Sequence, residues 1–131
     1  VFDKYIMKAE RYILTIDVGT GSGRAIVFDE HGSQCGTGQC EWLPESLPQY
    51  PGSQVFNTDE SWTLLIGCIA EAIHRSRISP SRIAGVTATS MREGIVLYDA
   101  QKREIWACPN VDARAAREVE DMIAAGLGEP I

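Results

Sequence analysis

The chain has 131 residues, 44% hydrophobic and 23% charged, with 18 acidic against 12 basic side chains for a formal net charge of −6. This is about one domain, long enough to bury a core, and its composition is that of an ordinary globular protein. The acidic balance argues against nucleic acid as a partner, because backbone phosphates need a basic surface, and no apolar run approaches the ~20 residues of a membrane span.

Residues 1–11 carry charges throughout and lack a signal-peptide core, so they read as an N-terminal extension to a domain over 12–131. The start at Val1 and the end at Ile131, just past a helical pattern, suggest a fragment. Cys35, Cys40, Cys68 and Cys108 show no CxxC spacing. They read as small apolar residues in a reducing, cytoplasmic setting, with no membrane partner.

The most informative segment is Tyr12-Ile-Leu-Thr-Ile-Asp-Val-Gly-Thr-Gly-Ser-Gly-Arg-Ala-Ile-Val-Phe-Asp29. An apolar run ends at Asp17, a glycine-rich turn follows, and a second apolar run begins after Arg24. Glycines permit sharp bends and close approach to a ligand. Backbone N–H groups of such a turn, with the Thr20 and Ser22 hydroxyls, suit phosphate oxygens. Arg24 adds positive charge, and Asp17 suits a hydrated Mg²⁺ shared with the phosphates.

Two phosphate or cofactor folds share such a string. The S-adenosylmethionine-dependent methyltransferases open a helix directly after the glycines. Here Arg24–Asp29 is rich in β-branched and aromatic residues, Glu30-His-Gly-Ser33 signals a turn, and 34–42 is again extended. That pattern is strand, turn, strand, turn, strand. It fits a phosphate-binding hairpin better than a strand–helix turn. A purely structural hairpin is the plain alternative, since hairpin turns use one or two glycines for geometry alone. Three alternating glycines with Thr, Ser, Asp and Arg exceed that need.

Strands are expected at 12–18, 24–29 and 34–42. A surface loop follows at 43–53, which holds three prolines. Asn57 with Glu60 reads as a helix start. The helix runs to about Arg75, with Trp62, Leu65, Ile66, Ile69, Ala70 and Ile73 on one buried face. Ile83–Thr89 reads as a buried strand, completing a βαβ-type unit with strand three. Ile95–Tyr98 and Glu104–Ala107 read as a hairpin, and 112–125 as a second helix.

A second polar group follows the small-residue strand. Arg92 and Glu93 lie just past its C-terminal end, where α/β folds bind ligands, and they suit vicinal hydroxyls, one donating and one accepting. Asp112 and Arg114 follow the hairpin. Each has a plain alternative: a solvated Arg92–Glu93 surface pair, and a first-turn acid at Asp112 favoured by the helix dipole. Trp106 reads as core packing, and His31 and His74 as structural.

These strings resemble the N-terminal domain of the FGGY carbohydrate kinases, which include the glycerol and xylulose kinases. Asp17–Arg24 is similar to their first phosphate motif, Arg92-Glu93 to the polyol-binding pair of the glycerol kinases, and Asn110-Val-Asp-Ala-Arg114 to the segment after the second hairpin. The resemblance runs from Tyr12 to about Glu120. Ser90–Tyr98, Ile105–Cys108 and Asn110–Val119 further resemble members that act on a quorum-sensing signal. Many sugar kinases carry a hydroxyl residue where this chain has Gly21.

The resemblance implies an α/β domain of the actin-like ATPase (ribonuclease H-like) fold. It would have a mixed sheet with an N-terminal antiparallel phosphate-binding hairpin, and form the first part of a two-domain kinase. It implies ATP and Mg²⁺ as cofactors. Asp17, Gly19, Thr20, Gly21, Ser22 and Arg24 would face the phosphates, with Asp17 reaching Mg²⁺ through water. Arg92, Glu93 and Asp112 would face the substrate. That substrate would be a small-molecule polyol or autoinducer-2, 4,5-dihydroxypentane-2,3-dione, phosphorylated at its terminal hydroxyl. The catalytic Asp and the adenine-binding segments would lie downstream of residue 131, in a C-terminal domain that is missing here. The 131 residues alone are therefore expected not to complete the reaction. A pentulose or glycerol kinase, a non-catalytic binding fragment and, last, a methyltransferase stand as alternatives.

Overall fold

A computed structural model describes residues 10–128. The expected extension at 1–11 therefore lies largely outside the described residues. The chain divides into two compact units: the described residues up to Trp42 with Asp59–Ser90, and Leu43–Thr58 with the described residues from Met91 onward.

The first unit is built on a four-stranded mixed sheet. Strands β1 (Tyr12–Val18), β2 (Ser22–Asp29) and β3 (Gln34–Glu41) form an antiparallel meander. Residues 24–29 are strand, which removes the methyltransferase reading. β2 begins at Ser22, so the first reversal is shorter than the glycine run and closes with the Gly19 N–H donating to the Ser22 carbonyl at 2.8 Å. The second reversal is an Asp-centred turn. The Asp29 carboxylate accepts the N–H groups of His31 (2.9 Å) and Ser33 (2.8 Å), and Gly32 takes φ of +82°. Those two N–H groups hold the Asp29 carboxyl below the usual carboxylate range, the Ser33 bond contributing most.

Helix α1 (Thr58–Ser76) follows, then a single 3₁₀ turn at Pro80–Arg82 and strand β4 (Ile83–Ser90). β4 lies parallel to β1, giving the order β3-β2-β1-β4. The crossover thus carries the chain past β2 and β1, rather than laying β4 beside β3 as a simple βαβ unit would.

α1 shows how closely the layers meet. Its buried residues are Ser61, Leu65, Cys68 and Ala72. They face a core of Tyr12, Leu14, Ala25 and Val27, flanked by Ile16, Ile69 and Ile73. The expected face is therefore rotated: Trp62 is 61% exposed and Ile66 46%. The cause lies on β3. A Cβ on Gly38 would sit 2.1 Å from the Cys68 carbonyl oxygen, and one on Gly36 2.3 Å from that of Ala72. The helix backbone rests on the strand, so only small side chains fit at Cys68 and Ala72, and Trp62 and Ile66 turn outward.

β4 has no cover from the described residues. It is mostly exposed, with Val86 at 61%. Its partner across β1 and β2, the row Leu14–Val27–Gly36, is buried because α1 covers it, while Val86 in the same row is not.

The second unit holds strands β5 (Ile95–Tyr98) and β6 (Glu104–Cys108), paired antiparallel, and helix α2 (Ala116–Ala124). Asp99 organises the hairpin turn by accepting the N–H groups of Gln101 and Arg103 and the Arg103 guanidinium at 2.7 Å. The stretch 43–58 is more than a passive loop. Glu45 and Val55 bridge, the buried Ser53 hydroxyl closes on the Leu47 backbone, Phe56 donates to the Ala107 carbonyl, and the Thr58 hydroxyl donates to Glu104 at 2.5 Å. α2 starts at Ala116, not Asp112. Asp112 spends its carboxylate on other backbone groups, and residues 112–115 stay non-helical. Among the described residues, no helix is long and apolar enough to cross a membrane.

Candidate functional site

Strand register places the first candidate group. Asp17 on β1 lies opposite Arg24 on β2, Arg24 opposite Gln39 on β3, and Thr89 on β4 beside Asp17. Directly paired residues share a sheet face. The adjacent row, Ile16–Ala25–Gly38, faces α1. Alternation along a strand therefore puts Thr89, Asp17, Arg24 and Gln39 on the open face, and all four are exposed. The Arg24 Nε donates to the Gln39 Oε1 at 3.1 Å, which aims the guanidinium along this row. Gln39 and Thr89 are part of the group although sequence reading passed over both. Period-2 alternation signals a face, but only pairing shows which strands contribute to it.

The turn from Gly19 to Ser22 caps this row. None of Gly19, Gly21 and Gly23 adopts a positive φ, so the bend itself does not require glycine. Close approach does. A Cβ on Gly23 would lie 2.6 Å from the Trp42 ring, and one on Gly19 3.2 Å from the Ser22 carbonyl. A Cβ on Gly21 would meet only the Trp42 carbonyl at 4.0 Å, so the outer side of the turn is open. An open turn carrying Thr20 and Ser22, next to a carboxylate and a guanidinium on the open face, would suit a phosphate chain with a cation between it and Asp17. Among the described residues there is no cluster of three or more metal-ligating side chains, so a cation here would rely on Asp17, water and the ligand's own oxygens.

The second group sits in the other unit. Arg92 and Glu93 are exposed, and among the described residues they form no ion pair with each other. Glu93 has φ of +64°, in the left-handed region, although Gly94 stands next to it. A non-glycine residue there is strained by about 1 kcal/mol or more.

Asp112 differs from both. Its side chain is only 9% exposed. It accepts the Gln54 N–H at 2.7 Å, the Arg114 N–H at 3.2 Å, and the Arg114 guanidinium, whose terminal nitrogen lies at 2.7 Å. Arg114 also donates to the Gln54 carbonyl at 3.3 Å and stacks 5.0 Å above the Trp106 ring. The Arg114 hydrogen bond, followed by the Gln54 and Arg114 N–H groups, holds the Asp112 carboxyl at about 2 against the burial that opposes it. Asp112 thus ties 52–54 to 112–114. A helix-dipole role does not apply, since α2 begins four residues later.

The profile of the FGGY family of carbohydrate kinases, N-terminal domain, matches residues 12–130. The chain belongs to this family. Autoinducer-2 kinase of Escherichia coli (strain K12) is 47% identical over 117 residues, 89% of this chain and 22% of that protein. Autoinducer-2 kinase of Yersinia enterocolitica is 50% identical over 111 residues, 85% of this chain and 21% of that one. The chain therefore spans about a fifth of the length of the curated relatives it matches. Among solved structures, gluconate kinase from Lactobacillus acidophilus superposes with a TM-score of 0.79 at 16% identity, over 90% of this chain and 23% of that one. Plasmodium falciparum glycerol kinase with ADP gives 0.70 at 21%, over 88% and 23%. These structural likenesses establish the fold.

Proposed function

We propose that this chain is the phosphate-gripping N-terminal part of an ATP-dependent autoinducer-2 kinase. It would help transfer a phosphoryl group to the terminal hydroxyl of 4,5-dihydroxypentane-2,3-dione in the cytoplasm. The observation that carries this reading is the exposed row Thr89–Asp17–Arg24–Gln39 under an open glycine turn, in a chain 47–50% identical to autoinducer-2 kinases.

The roles follow from the chemistry of each group. The Thr20 and Ser22 hydroxyls and the turn's N–H groups bind phosphate oxygens. Arg24, aimed by Gln39, offsets their charge. Asp17 holds Mg²⁺ through water, and the metal neutralises charge on the phosphates when bound. Arg92 and Glu93 orient the substrate's hydroxyls, Arg92 donating and Glu93 accepting. Asp112, the third residue expected towards the substrate, would serve it by holding the 52–54 and 112–114 segments together through Arg114 and the Gln54 N–H. The base that takes the hydroxyl proton belongs to the remaining four-fifths of the kinase, so the 131 residues alone are expected to release no substrate-dependent ADP.

The test is ADP release by the full-length protein across 4,5-dihydroxypentane-2,3-dione, xylulose and glycerol. The highest kcat/KM is expected with the first. A preference for xylulose or glycerol would move the protein to another branch of the family, and no turnover with any of the three would leave the binding-fragment reading.

A further inference from the structure

We infer that Trp42 is a positioning residue for the phosphate turn; the inference rests on the phosphate reading of that turn. Trp42 follows β3 and is 7% exposed. It grips the turn at three points. Its indole Nε1–H donates to the Thr20 carbonyl at 3.1 Å. Its backbone N–H donates to the Gly21 carbonyl at 3.1 Å. Its ring fills the space that a side chain at residue 23 would take, 2.6 Å from where a Cβ would stand.

The consequence follows from peptide geometry. In a trans peptide the carbonyl and the next N–H point in opposite directions, and the described chain has no cis peptide. Holding the Thr20 carbonyl towards Trp42 turns the Gly21 N–H to the opposite side. Holding the Gly21 carbonyl turns the Ser22 N–H the same way. Two successive N–H groups on one side of a turn form a small anion-binding concavity. Trp42 thus presets the donors, and a phosphate binds without first ordering them. The far edge of the ring explains Gly23, and the indole N–H supplies the bond to the Thr20 carbonyl.

The experiment is steady-state kinetics of the full-length protein with Trp42→Phe, Thr20→Val and Trp62→Phe. Trp42→Phe removes the indole bond to Thr20 and withdraws the Cζ3–Cη2 edge of the ring from Gly23. It is expected to raise the ATP KM about tenfold, with the substrate KM within twofold and the melting temperature within a few degrees. Trp62→Phe, on the exposed side of α1, is expected to match wild type in both KM values. Thr20→Val distinguishes the failures. If it raises the ATP KM while Trp42→Phe does not, the positioning role is overturned and the phosphate reading stands. If neither raises it, both are overturned. An equal rise in both KM values, with a large loss of melting temperature, would make Trp42 a structural residue only and overturn the inference. An independent readout uses the full-length protein with every tryptophan other than Trp42 changed to Phe, so that Trp42 is its remaining indole. Its emission is expected to change on addition of ATP and Mg²⁺, and unchanged emission at saturating nucleotide would count against the inference.

Discussion

The two compact units are held by different forces. In the first, α1 lies directly on β3 at Gly36 and Gly38, with Cys68 and Ala72 in the seam and Leu14 and Val27 beneath. Its stabilisation is close-packed apolar contact, which falls off steeply with separation. In the second, the buried side chains among the described residues are few: Ala107, Cys108, Pro109 and Ser53. A polar clamp, Gln54–Asp112–Arg114 over Trp106, supplies the specific ties. The difference teaches where the chemistry is separable from the scaffold. Asp17 and Arg24 stand on the face away from the seam, so changing them should cost function and little stability. Asp112 belongs to its scaffold, so changing it should cost both.

The sharpest way to break the comparison is Gly38→Ala. The added methyl would meet the Cys68 carbonyl, and backbone must move. The expected loss is about 3 kcal/mol or more, read by urea unfolding. A loss under 1 kcal/mol would mean that the seam is slack.

Asp112→Asn probes the second unit. Removing the charge weakens the bonds from Arg114 and Gln54, with an expected cost on the order of 2 kcal/mol. The same group sets a pH dependence. Its carboxyl is depressed from the ordinary 3.8 to about 2. The clamp's contribution is then complete above pH ~4 and is lost as pH falls through ~2. Acid unfolding should flatten over that window in Asp112→Asn, and an unchanged profile would remove Asp112 from the clamp.

Glu93 offers a smaller effect with opposite signs. Glu93→Gly relieves the left-handed strain and is expected to raise stability by up to about 1 kcal/mol. It should also raise the substrate KM and leave the ATP KM unchanged. Gain in stability without loss of substrate binding would mark Glu93 as an ordinary turn residue. The smallest effect is expected for Gly21→Ala. The methyl has room at 4.0 Å from its nearest neighbour and φ is not positive, so unfolding should shift by under ~0.5 kcal/mol. A larger loss would show that the turn is closed on its outer side.

Local signals in the sequence determined β1 to β3, the placement of α1, the β5–β6 hairpin and the glycine turn with Asp17 and Arg24. Alternation, turn residues and helical period act over a few neighbours, and these elements depend on little else. Tertiary structure decided the rest. Two stripes one residue apart on α1, Ser61–Leu65–Cys68–Ala72 and Trp62–Ile66–Ile69–Ile73, have the same spacing. The glycines of β3, some 30 residues earlier, centre the contact on the first and leave Ile69 and Ile73 at its edge. β4 has the composition of a buried strand but lies beyond the cover of α1. Asp112 reads as the first acid of a helix, yet its partner is the Gln54 backbone, 58 residues away. Trp42 reads as a strand end and is the back wall of a turn 20 residues earlier. In each case the deciding contact joins residues far apart in the chain, and its energy depends on a separation in space that no local pattern encodes.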